Sequence, residues 1–288
     1  TELFLALVIG PLLFREAQEA DITSILKHWR IVLYLIFPVI FISALSMGGL
    51  AHVLWASLPL AACVAVGAAL GPTDLVAFAS LSQRFSFPKR VSNILKGEGL
   101  LNDASGLVAF RMALIAWTTG TFSLTQAGTS LIISIIGGFA VGFITALINR
   151  FLHTFLLSVR ATDIASELLL ELSLPLLTFF IAEEIHVSGI IAVVVAGILK
   201  ASRFKKINLL EAQVDTVTET VWQTVTFMLN GSVFVILGME LEMIAEPILK
   251  SAFYNKVLLL LSVFLLTFLL FAIRFVMIYG FYAFRIKK

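Results

Sequence analysis

Charge is what this chain has least of. Only 13% of its 288 residues are Asp, Glu, Lys or Arg, while 60% are hydrophobic. Soluble domains carry about 25% charged residues, so this chain has too little polar surface to face water on all sides. The net charge of +2 is too small to hold a nucleic acid, and no basic run with interleaved aromatics is present. Cysteine is nearly absent. Cys63 lies alone in an apolar run, which excludes a disulfide framework and a cysteine metal cluster. The four histidines, His28, His52, His153 and His186, are scattered and show no His-Glu-x-x-His spacing. No basic stretch precedes the first apolar run, so no signal peptide is visible.

What the chain has instead is long apolar runs. A mean hydropathy of +1.04 marks an all-α polytopic membrane protein embedded in lipid. Hydrophobic windows give nine segments, at 1–14, 29–55, 58–82, 92–118, 129–157, 165–186, 188–202, 222–241 and 256–284. No strand alternation is sustained, so helices are the spanning option. Sixteen of the twenty basic residues fall on alternate connections, two on the others, and Arg111 and Arg274 fall inside segments. This alternation supports nine crossings with the basic loops in the cytoplasm. The first run is short of the roughly 20 residues that span a bilayer. With Thr1 in place of an initiator Met, and RIKK at the far end, the chain reads as part of a longer one. A short re-entrant first helix is the alternative. The 1–288 stretch is read as a single membrane domain with no soluble part.

Polar groups inside such segments are expensive. An Asp at mid-bilayer costs about 2.5–3.5 kcal/mol on insertion scales, and it persists where it faces a polar interior. In LGPTDLVAF, residues 70–78, Pro72 lacks an N–H and its ring opposes the Ala68 carbonyl. The helix should therefore break at Gly71-Pro72-Thr73-Asp74, freeing carbonyls that can coordinate a cation. The alternative is a plain kink with Asp74 capping the next half-helix. In GEGLLNDASGLVAFR, residues 97–111, Glu98 and Asn102 share a helix face, while Asp103 points about 140° away from Glu98. One carboxylate can then be locked in an ion pair while the other titrates. Gly97, Gly99, Ala104, Ser105 and Gly106 keep this helix thin, so the broken helix can pack close. Asp74 and Asp103 would then meet and attract a small cation, or protons when none is bound. A structural hydrogen-bond network is the alternative. Arg274 cannot shed its charge; Glu98 is its expected partner, with snorkelling as the alternative, and snorkelling is the reading for Arg111. Glu167, Glu171, Glu183 and Glu184 lie at the ends of the sixth segment and read as a solvated rim.

The stretches LKGEGLLNDASGLVAF and GPTDLVAF resemble the Glu-x-Leu-Leu-Asn-Asp and Thr-Asp motifs of the monovalent cation:proton antiporters of the sodium/proton exchanger type, bacterial NhaP-like members included. PLLFREA, AEEIHVSGIIAVVVAGI and NGSVFVILGMEL are similar to three weaker motifs of that family, in the same order. The resemblance implies a fold of about thirteen helices with inverted repeats, a core with crossed broken helices, and a separate dimerisation domain. The core ion-site helices would be 58–118. It implies Asp103 as carrier of cation and proton, with Asp74, Thr73 and Asn102 completing the site, and Glu98 paired with Arg274. The implied activity is electroneutral exchange of sodium, or potassium or lithium, for protons across the cell membrane. The implied protein is no enzyme, has no cofactor beyond the transported ions, contacts membrane lipid and forms a homodimer. There is no Gly-x-x-x-x-Gly-Lys-Ser/Thr stretch, so ion gradients supply the energy.

Two departures stand out. Leu75 follows Asp74 where the family commonly has Pro, and Gly99 replaces a Ser found in relatives. Glu16 is a candidate further ligand. A passive cation channel is one rival reading. An intramembrane aspartyl protease is another, but Asp74 follows Pro-Thr and Asp103 follows Asn, not the Gly-x-Gly-Asp and Tyr-Asp pairs that such an enzyme needs.

Overall fold

A computed structural model describes residues 2–73, 78, 85–120, 124–159, 163–201, 209–250 and 256–286. Among these residues all regular structure is helical. After a π-turn at Leu5–Ile9 come α1 (Gly10–Glu19), α2 (Trp29–Leu54), α3 (Leu60–Leu70), α4 (Lys89–Thr119), α5 (Leu124–Ser158), α6 (Ile164–Glu184), α7 (Gly189–Ala201), α8 (Leu209–Lys250) and α9 (Lys256–Ile286). Five stretches are long and apolar enough to cross a membrane: Trp29–Leu54, Ile132–Ser158, Ile164–Glu184, Thr216–Pro247 and Val257–Ala283. Leu60–Leu70, Ser105–Thr119 and Gly189–Ala201 are shorter apolar helices. The first segment expected from the sequence is helical without interruption from Glu2 to Glu19, with Leu5–Ile9 wound as a π-helix ahead of Gly10 and Pro11.

The chain divides into two compact units, Thr1–Ala20 with Thr129–Ile244, and Asp21–Gly128 with Ala245–Lys288.

In the second unit, α2 is apolar all round, as a helix inside a membrane bundle must be. Pro38 cannot donate to the preceding turn, and the helix absorbs this as a π-segment at Leu35–Val39. The α2 and α3 backbones come close where Gly48 faces Val64 and Gly67 faces the Ala44 carbonyl. A Cβ at Gly67 would overlap that carbonyl. With 11 residues, α3 is about 16 Å long, half of a hydrocarbon core of about 30 Å. Too short to cross that core by itself, it ends at Gly71. Helix α4 starts after Pro88 and ends at a left-handed Gly120. Helix α9 packs along α2: Leu266, Leu269 and Leu270 lie on Met47 and Ala51, with Cys63 of α3 in the same cluster. Further along, Met277, Phe281 and Tyr282 lie on Ile31, Leu35 and Val39.

In the first unit, Phe14 of α1 packs on Trp222 of α8, with ring centroids 5.9 Å apart. Phe179 of α6 is buried against Gly10 and Gly189. Asp163 caps α6 through a reciprocal capping box with Ser166. Glu183 accepts the Gly189 N–H at 3.2 Å, capping α7. Glu171 overturns the solvated-rim reading: it is 5% exposed, and its carboxylate pairs with Lys200 at 2.8 Å. The helix end that carries it is covered by α1 and α7, which the apolar pattern of α6 alone does not reveal.

Candidate ion site at the helix break

The site grows out of the end of α3. The missing N–H of Pro72 and the short reach of α3 leave chain-end carbonyls in the interior. Unpaired, each would cost several kcal/mol in lipid. Arg274 of α9 takes one of them: its Nη2 donates to the Gly71 carbonyl. A cation at the C-terminal end of a helix also meets the negative end of the helix dipole. Of the freed carbonyls expected from the sequence to be open to a cation, that of Gly71 is thus taken by a tethered guanidinium.

Arg274 Nη1 donates to the hydroxyl of Thr73, and Thr73 in turn donates to Glu98 Oε1 at 2.6 Å. Arg274 Nη2 stands 3.7 Å from the same Glu98 oxygen. Asn102, one turn further along α4, donates from Nδ2 to Glu98 Oε1 at 3.3 Å and to the Thr73 carbonyl at 3.2 Å. Ser105 ties this turn down by donating to the Asn102 carbonyl at 2.8 Å. A buried ion pair holds only when further hydrogen bonds satisfy both partners. Here Thr73 and Asn102 donate to Glu98, and the Thr73 hydroxyl and the Gly71 carbonyl accept from the two Nη groups of Arg274.

Two consequences follow for the chemistry. Glu98, 3% exposed, is committed to Arg274, Thr73 and Asn102. Asn102 is fully buried, and both acceptors of its Nδ2 fix the amide orientation, yet its Oδ1 has no hydrogen-bond partner. A buried carbonyl oxygen without a donor is a ready ligand for a hard monovalent cation. Asp103, the next residue, is placed on α4 by its backbone. Its carboxylate and all of Asp74 lie outside the described residues, as does their expected approach.

Spacing between α4 and the break depends on Gly106. A Cβ there would overlap Pro72 Cγ. Gly97, grouped with it from the sequence, instead faces Ile25 and Val32. Glu16 lies on α1 in the first unit, whereas Thr73, Glu98, Asn102 and Arg274 belong to the second. Sequence reasoning missed the Gly71 carbonyl as the arginine's acceptor. The signal was present: a helix stopped by Gly-Pro at mid-membrane must find a donor for its last carbonyls.

A family model described as "Sodium/hydrogen exchanger, transmembrane" matches residues 1–287. The chain is 34% identical over 282 residues to the sodium, potassium, lithium and rubidium/H(+) antiporter of Bacillus pumilus (strain SAFR-032), covering 98% of this chain and 42% of that protein. It is 35% identical over 283 residues to the protein of the same name from Bacillus subtilis (strain 168), again with 98% and 42% covered. With the Na(+)/H(+) antiporter NhaH of Halobacillus aidingensis it shares 31% identity over 251 residues, 84% of this chain and 60% of that protein. The chain thus spans less than half the length of the two Bacillus relatives.

Proposed function

Since the chain belongs to the sodium/hydrogen exchanger transmembrane family, whose members are multi-pass cell-membrane transporters and not enzymes, we propose that it exchanges a monovalent cation for protons. One cation and one proton would share Asp103 in turn. Asn102 Oδ1, Thr73 and Asp74 would complete the cation's oxygen shell. Cation binding would displace the proton, and the loaded site would open to the other side of the membrane. Exchange on a single shared carboxylate, with Glu98 held in its own ion pair, is electroneutral.

The observation that carries this reading is the unpartnered, fully buried Oδ1 of Asn102 beside a carboxylate position, at a break held by Glu98, Thr73 and Arg274. Sodium is the first cation to test, with potassium and lithium next, since the named relatives are antiporters of these ions. With the activity we also propose the homodimer that the resemblance implies, to be weighed by native mass spectrometry.

The test is cation-induced proton movement in vesicles containing the intact protein, wild type beside Asp103→Asn, with each cation added separately. Proton movement in wild type alone supports the shared site. Equal movement in both would remove Asp103 from the mechanism. Cation flux that ignores a pH gradient would point to a channel.

A further inference from the structure

Arg274 uses Nη1 and Nη2, but its Nε–H is buried without a hydrogen-bond partner. A second orphan lies on α2. Ser43 is fully buried, and its hydroxyl likewise has no partner. One is a pure donor and the other can accept. Leaving both unsatisfied in an apolar interior costs more than pairing them.

Three contacts bring together the stretches of chain that carry the two side chains. Ser43, Met47 and Ala51 recur at every fourth residue and so form one stripe of α2. Met47 and Ala51 of that stripe pack on Leu266, with Leu269 and Leu270 alongside. At the other end, Tyr34 donates to the Met277 carbonyl at 3.3 Å. The helices are therefore antiparallel, and both Ser43 and Arg274 lie between these two anchor points. The side chain of a helical residue leans toward the helix N-terminus, so the Arg274 guanidinium reaches toward the Leu270 end of α9. From the third side, Ile40, one turn before Ser43, lies 3.5 Å from where a Gly71 Cβ would sit. Gly71 is the residue whose carbonyl Arg274 holds.

We infer that Ser43 is a further positioning residue of the site, whose hydroxyl accepts the Nε–H of Arg274 after rotation about χ1. This anchors the arginine from α2 as well as from the break. The guanidinium then keeps a fixed orientation against Gly71, Thr73 and Glu98, and the oxygen frame around Asn102 stays set for the cation. Ser43 touches neither cation nor proton; it acts through Arg274.

The inference rests on the exchange reading, and its test separates the two. Wild type, Ser43→Ala, Ser43→Thr and Asp103→Asn of the intact protein are reconstituted, and proton movement is titrated with cation. Loss of a hydrogen bond to a charged partner is worth about tenfold. Ser43→Ala is expected to raise the half-saturating cation concentration about tenfold, with maximal rate held within about twofold, because Asp103 is untouched. Ser43→Thr, which keeps the hydroxyl, restores the wild-type value. Alongside, a double-mutant cycle of Ser43→Ala with Arg274→Met on thermal stability reads the bond without any transport. Non-additivity in that cycle supports the pairing. A wild-type cation titration in Ser43→Ala overturns the inference, and so does strict additivity in the cycle. Equal impairment of Ala and Thr variants with lowered melting assigns Ser43 to packing alone. If wild type moves no protons, the exchange reading fails while the stability cycle still decides the Ser43–Arg274 bond.

Discussion

Gly106 and Pro72 approach so closely that no side chain fits between them. The contact is backbone against ring, so neither partner has a flexible end to give. Pro72 belongs to the segment that breaks α3, and Gly106 lies one turn beyond Asn102 on α4. Gly106→Ala must therefore push the break away from α4, stretching the 3.2 Å bond from Asn102 to the Thr73 carbonyl. Overpacking of this kind costs about 1–3 kcal/mol. The expected outcome is a folded protein whose cation-driven proton movement falls at least tenfold, since about 1.4 kcal/mol is a factor of ten. Retention of wild-type exchange by Gly106→Ala would show that the close packing at Pro72 is dispensable.

Thr73 passes a hydrogen bond from Arg274 to Glu98. Thr73→Val keeps the shape and removes the hydroxyl. Glu98, 3% exposed, then loses a donor at 2.6 Å and Arg274 an acceptor. Each orphaned partner costs about 1–3 kcal/mol. Thr73→Ser keeps the relay. Valine is expected to raise the half-saturating cation concentration and lower the melting temperature, with serine close to wild type on both. A valine variant matching wild type in both measurements would reduce the hydroxyl to a bystander.

How much of this was legible beforehand differs from residue to residue, for physical reasons. Segments at 29–55, 165–186 and 188–202 agree with Trp29–Leu54, Ile164–Glu184 and Gly189–Ala201 to within two residues, because apolar length is a strong local signal. The break at Pro72 was legible because a missing N–H is a property of one residue. Glu98 and Asn102 on one face followed from helical spacing alone. Ser43 was not legible: a serine in an apolar helix looks like any small residue until α9 is laid beside it. Glu171 was misread because its cover comes from Lys200, 29 positions further on, and from Gln18, on the other side of the chain by 153. Burial by distant segments leaves no trace in a local pattern.

Asp163 gives a pH prediction outside the membrane-spanning segments. Its carboxyl is held below the ordinary carboxylate value, first by the Ser166 side chain and then by the Ser166 N–H. A depressed value means stabilisation that is present above the unfolded value, near 3.9, and is lost as pH falls through the folded one. The N-terminal end of α6 should therefore keep its hydrogen-exchange protection at neutral pH and lose it only below about pH 4. Asp163→Asn should weaken the pH dependence while retaining much of the cap, since Asn also caps well. Protection that rises on acidification would contradict this assignment.

The Glu171–Lys200 pair closes the first unit from inside. Both side chains are nearly buried, at 7% and 11% exposed. Gln18 of α1 donates to the other Glu171 oxygen at 2.6 Å, and Lys200 also donates to Asn149 of α5 at 3.1 Å. Asn149 donates onward to the Leu170 carbonyl at 3.2 Å. Four helices thus meet on one ion pair. Breaking a buried pair from one side costs about 3–5 kcal/mol, whereas replacing both partners with apolar groups is often neutral. Lys200→Met should therefore lower the melting temperature sharply, because it leaves the Glu171 carboxylate with only Gln18. Adding Glu171→Leu to Lys200→Met should recover most of the loss, although Asn149 and Gln18 then lack one partner each. If the double variant melts lower than Lys200→Met alone, the pair contributes net stability beyond charge compensation, and the hydrogen bonds to Gln18 and Asn149 carry the difference.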